Sequence, residues 1–150
     1  MRIFNGITEF EKAIGTHLGV SDWFPVTQKQ IDLFADATGD HQWIHVDPDA
    51  AAAGPFGAPI AHGFLTLSLL PVLAEQIWRV DGLKMVVNYG CNKVRFPSVV
   101  KVGDKVRAGA ELTAVTPTPA GTQITITATV EIDGGAKPAC VAEWVLLLVE

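Results

Sequence analysis

The sequence predicts an α+β fold in which an antiparallel sheet curls round one buried helix. Residues 64–78, FLTLSLLPVLAEQIW, are apolar on nearly every face, as expected of a helix enclosed by protein. From Lys84 onward the apolar pattern switches to period two, most cleanly at Ile124, Ile126, Ala128, Val130 and Ile132. Breaks at Val102-Gly103-Asp104, Pro117 to Gly121 and Asp133-Gly134-Gly135 divide that half into strands with short, antiparallel connections.

The first helix signal is Thr27-Gln28-Lys29-Gln30, a capping box in which the Thr27 oxygen accepts a backbone N–H and Gln30 reaches back. Ile31, Phe34, Ala35 and Thr38 follow at helical spacing, and Gly39 supplies a left-handed stop. A short second helix is signalled by Asp47 as cap and Pro48 at the first position, running to Gly54. Residues 54–62, GPFGAPIAH, read as a loop. The long central helix starts at Gly63, with a kink expected at Pro71 because proline lacks the N–H that an interior turn uses. Strands are expected near 84–89, 91–96, 104–116, 122–132 and 139–149.

A chain of 150 residues fits one domain, 1–150, without internal repeats. A net charge of −5 argues against nucleic-acid binding, which rests on clustered Lys and Arg. The N-terminus, with Glu9 and Glu11, lacks the apolar run of a secretory signal, and the most apolar stretch is too short to span a bilayer. A cytoplasmic protein with no membrane partner is expected. Cys91 and Cys140 have no metal-site or redox spacing and read as small buried hydrophobes. Trp23, Trp78 and Trp144 read as packing residues, and His17 and His41 as exposed or structural.

The chemistry concentrates between the first two helices, where Asp40 and His45 are five residues apart. Fully extended, that spacing separates them by roughly 16 Å; a turn through Gln42 and Trp43 brings both to one cavity. A carboxylate and an imidazole can then share proton transfer near neutral pH. The bland alternative is an Asp satisfying loop donors and a His packed in the core, and the spacing alone does not decide. His62-Gly63 stands at the mouth of the central helix, whose first N–H groups lack helical partners and favour negative charge. The Gly63 N–H is therefore the candidate oxyanion donor, with His62 beside it as loop support.

Phe34-Ala-Asp-Ala-Thr-Gly-Asp40-His-Gln-Trp-Ile-His45-Val-Asp-Pro resembles the signature of MaoC-like, R-specific enoyl-CoA hydratases. Ala61-His62-Gly63-Phe64-Leu65-Thr66, Asn88-Tyr89-Gly90 and Val94-Arg95-Phe96-Pro97 resemble later segments of that family, so the likeness spans about residues 15–149. The resemblance implies a hot-dog fold, a sheet wrapped round a long helix, in a homodimer with active sites near the subunit interface. It implies that Asp40 and His45 act on a bound water while the Gly63 amide holds the thioester oxygen. The implied reaction is reversible hydration of trans-2-enoyl thioesters of coenzyme A or acyl carrier protein to (3R)-hydroxyacyl thioesters, with no cofactor and no metal.

The sequence departs from the family where Asn-Pro is usual: Gln42-Trp43 stands there, as in a subset of bacterial relatives. Gln42 keeps an amide that can orient a water or Asp40. Two other readings stay open, an acyl-CoA thioesterase and a non-catalytic acyl-binding subunit. The basic residues Arg79, Lys84, Lys93, Arg95, Lys101, Lys105 and Arg107 include candidates for coenzyme A phosphates, but none is singled out.

Overall fold

Alternation along a strand sends every second side chain to one face, and the C-terminal half of the chain forms long antiparallel strands on that basis. A computed structural model describes all residues 1–150. The elements are β1 (Arg2–Phe4), α1 (Ile7–Glu11), β2 (Thr16–Val20), β3 (Phe24–Pro25), α2 (Gln28–Thr38), α3 (Trp43–Val46) and α4 (Pro48–Ala52). They continue as α5 (Gly63–Ser68), α6 (Leu70–Ala74), β4 (Trp78–Val80), β5 (Met85–Arg95), β6 (Lys105–Thr118), β7 (Gly121–Ile132) and β8 (Cys140–Val149).

The main sheet has the order β2-β6-β7-β8-β5, antiparallel throughout, with β3 beside β6. Register aligns the inward residues in rows: Leu112 faces Ile126, which faces Trp144, and Ala110 faces Ala128, which faces Ala142. All six are buried. Leu65, Leu70, Leu73 and Ile77 from the helical segment join them in one core. Each such buried aliphatic chain contributes about 1.5–3 kcal/mol. No helix is long and apolar enough to cross a membrane.

Several elements differ from the expectations. The central helix is two pieces, interrupted at Leu69 rather than kinked at Pro71; Pro71 lies in the first turn of α6, where a missing N–H costs least. It ends at Ala74, and Trp78 begins β4 instead. Nor is it enclosed all round, since Phe64 and Val72 are exposed. The two strands expected either side of Gly90 are one strand, β5, whose register shifts between Asn88 and Gly90 and between Cys91 and Lys93 keep both halves on β8. Cys140 is buried, which pushes its thiol up to about 11, whereas Cys91 is exposed on β5. Trp78 and Trp144 are buried; Trp23 lies at the surface under the Arg107 guanidinium.

The N-terminal elements carry no clear sequence signal. β1 pairs in parallel with β4, and Phe10 meets Phe4 edge to face with ring centroids 4.9 Å apart and stacks on Trp78 at 5.1 Å. All three rings belong to the same core as the sheet.

Candidate active site

The Thr27 capping box forms in both directions: Gln30 N–H donates to Thr27 Oγ1 and Thr27 N–H donates to Gln30 Oε1. At the other end Gly39, at φ 82°, turns the chain as only glycine does without strain. Asp40 follows at once, exposed to solvent, and its Oδ1 accepts the Gln42 N–H at 3.3 Å. The connector then coils into the single turn α3, closed by the His45 N–H on the Gln42 carbonyl at 3.0 Å. That turn replaces the extended separation and swings His45 into the protein, where it is 6% exposed.

His45 is fixed in one tautomer. Its Nδ1 lies 2.7 Å from the Ile60 carbonyl, which can only accept, so the neutral ring carries its proton there and leaves Nε2 bare. Burial holds its pKa below the ordinary value, helped by nearby His62 and opposed by the Ile60 bond and Asp40. Near neutral pH His45 thus presents a lone pair.

His62, 3% exposed, precedes the first turn of α5. Its Nε2–H donates to the Asp40 carbonyl at 3.0 Å. Its ring lies between Phe34, 4.9 Å away, and His45, 3.8 Å away and tilted by 23°. Gly63 packs against Phe96 so closely that an added Cβ would sit 2.9 Å from the ring. The structure therefore brings Asp40, His45 and His62 together, with Gly63 next in the chain. Gln42 contributes only its backbone; its side chain makes no hydrogen bond to Asp40. The Ile60 carbonyl and the Phe34 ring were not legible in advance, since nothing local marks them.

Asp40, His45 and His62 each present a potential metal-ligand atom within 4.8 Å of the others. The stacking opposes a shared ion. Imidazole lone pairs lie in the ring plane, so near-parallel rings cannot both aim at an ion about 2.0–2.1 Å from each nitrogen. Among the basic residues, Arg79 and Arg107 are engaged by Asp81 and Glu131.

An antiparallel sheet packed on a central helical segment is the hot-dog arrangement, and here a carboxylate and two imidazoles gather at the mouth of that segment. Residues 9–135 match the MaoC like domain, and the chain belongs to that family. It is 57% identical over 144 residues to 3-hydroxyacyl-thioester dehydratase Z of Mycobacterium tuberculosis, with 95% of each chain covered. It is 43% identical over 145 residues to nodulation protein N of Rhizobium leguminosarum, covering 95% of this chain and 90% of that protein. The solved structure of the (R)-hydratase of Aeromonas caviae superposes with a TM-score of 0.70 at 30% identity, over 87% of this chain and 97% of that one.

Proposed function

We propose that the protein catalyses reversible hydration of trans-2-enoyl thioesters, carried by coenzyme A or acyl carrier protein, to (3R)-hydroxyacyl thioesters. The observation that carries this reading is that a carboxylate oxygen of Asp40 and a ring nitrogen of His45 lie within 4.8 Å of one another beside His62, the residue before α5, while the His45 Nδ1–H is committed to the Ile60 carbonyl. The names of the relatives, a 3-hydroxyacyl-thioester dehydratase and an (R)-hydratase, point the same way.

A water held by Asp40 and His45 adds its oxygen to C3 while its proton passes to His45 Nε2. The C2–C3 π pair moves toward the thioester carbonyl, whose developing negative charge meets the Gly63 N–H. The enolate then takes the proton at C2 from the imidazolium. Water is thus added across the double bond, and the pair returns to its starting state. Loss of enoyl-thioester absorbance on mixing with a short trans-2-enoyl-CoA measures the reaction. Asp40→Asn and His45→Gln should each lower kcat on the order of 10²–10⁴-fold while remaining folded. Parental activity in either variant would sink the assignment, and release of free thiol from a saturated acyl-CoA would favour the thioesterase reading.

The homodimer belongs to the same proposal. Met85, Val86, Val87 and Tyr89 are exposed on β5, an eleven-residue edge strand, and Phe64 is exposed against Phe96, just past the other end of that strand. A bare apolar edge of that length invites a second strand. Two copies pairing antiparallel along β5 bring the Met85 end of one beside the Arg95 end of the other. Gly63 rests on Phe96, the residue after that end. A cavity of about 460 Å³ at the Met85 end, lined by Pro71, Ala74, Trp78, Val86, Trp144 and Leu146, would then face the other copy's catalytic pair and receive the acyl chain.

A further inference from the structure

We propose that His62 is a positioning residue of this reaction, holding Asp40 through its Nε2–H and backing the His45 ring with its own. The inference rests on the hydratase reading and adds a residue that acts through both members of the pair.

Three contacts converge on this side chain. Its hydrogen bond to the Asp40 carbonyl bridges 22 residues, from the mouth of α5 to the end of α2. Phe34 and His45 press on the imidazole, so the ring has little freedom to turn. Because His62 immediately precedes Gly63, the same bond ties the Asp40 loop to the amide proposed to hold the thioester oxygen. Proton transfer and oxyanion stabilisation need a fixed mutual distance, and this link supplies one.

The arrangement carries a cost that a space-filling residue would not. With Nε2 donating, the neutral ring leaves Nδ1 bare, and that nitrogen is buried with no partner. Phenylalanine would fill the slot without the penalty, so the value of histidine here lies in the nitrogen facing Asp40. His62 does not itself move protons in this scheme. Its Nε2 is committed to the carbonyl, and a charge on it would lie 3.8 Å from His45, against the imidazolium that the reaction forms.

Two variants separate the donor from the ring. His62→Phe keeps an aromatic surface and removes the N–H; His62→Gln places an amide N–H near the position of Nε2. Hydration kinetics should show kcat in His62→Phe reduced on the order of 10–100-fold with KM nearly unchanged, and most of the loss recovered in His62→Gln. Parental kcat in His62→Phe overturns the proposal, as does His62→Gln being equally slow while folded, because either result leaves the donor without a role. If the variants do not fold, long-range ¹H–¹⁵N spectra of the parental histidine rings decide. They should give His62 as the Nε2–H tautomer and His45 as the Nδ1–H tautomer; the opposite tautomer at His62 overturns the proposal. Absence of turnover in the parental protein would instead refute the hydratase reading, and the proposal with it, even with the expected tautomers.

Discussion

Replacing Gly63 with alanine would test the oxyanion assignment, and its cost follows from the surroundings. A methyl group there meets Cδ2, Cγ and Cε2 of Phe96 at 2.9, 3.0 and 3.1 Å, well inside the ~3.5–4.0 Å of comfortable carbon contact. Rotating the ring about its own axis does not clear three contiguous atoms, so the ring or the helix start must shift by a sizeable fraction of an ångström. Overpacking of this kind costs about 1–3 kcal/mol. Alanine's better helix propensity offsets up to ~1 kcal/mol of that, and the exposed side of the Phe96 ring lets part of the strain relax outward. Stability should therefore fall only modestly. Catalysis should suffer more, since a reacting geometry displaced by ~1 Å loses on the order of 10²-fold, close to the effect of losing one oxyanion donor outright. The assay is kcat for enoyl-thioester hydration beside a thermal unfolding curve, with Phe96→Ala alone and combined with Gly63→Ala. The double variant, relieved of the obstruction, should return toward the rate of Phe96→Ala. A Gly63→Ala enzyme with parental kcat would refute the reasoning, because the amide could then move without consequence.

The pH dependence follows from His45. Burial lowers its pKa in the folded chain, so kcat/KM should be level near neutrality and fall as the pH drops below the ordinary histidine value of about 6.5. The same shift bears on stability: a depressed folded pKa favours the fold fully above pH ~6.5, and that contribution declines as the pH falls toward the folded value, because the unfolded chain binds the proton first. Urea unfolding across pH should show this slope in the parental protein and lose much of it in His45→Gln. At the start of α2, Thr27→Ala removes the capping oxygen that receives the Gln30 N–H and should cost about 1 kcal/mol by urea titration. On β5, Val87→Lys with Tyr89→Lys places two charges on the exposed edge; light scattering should report monomers, and a dimer of undiminished stability would locate the interface elsewhere.

What the sequence made legible was chemistry that acts over a few residues. The capping box at Thr27, the stop at Gly39 and the Asp47-Pro48 start each depend on groups three or four positions apart, and each forms as read. β6 and β7 were equally clear because one buried face imposes alternation on both. β1 and β2 were not. β1 is three residues long and exists because it can pair with β4 across more than seventy positions, while β2 carries a register shift between His17 and Gly19 that destroys its period. β5 misled for a related reason: its two irregularities break the alternation that would otherwise mark one strand.

The candidate site divides along the same line. Asp40 and His45 were readable as a pair because one short connector holds both, but the features that tune them come from the segment around residues 60–63. The Ile60 carbonyl selects the tautomer of His45 from fifteen residues away, and His62 reaches the Asp40 carbonyl from twenty-two. Ile60 and Ala61 are themselves pinned by backbone bonds, the Ile60 N–H to the Ile44 carbonyl and the Ala61 N–H to the Val100 carbonyl. The loop that delivers the tuning groups is thus stitched to the very turn it tunes. A substitution that loosens the loop, without touching the Asp40 carboxylate or the His45 ring, should disturb the tautomer of His45, the placement of Asp40 and the position of the Gly63 amide together.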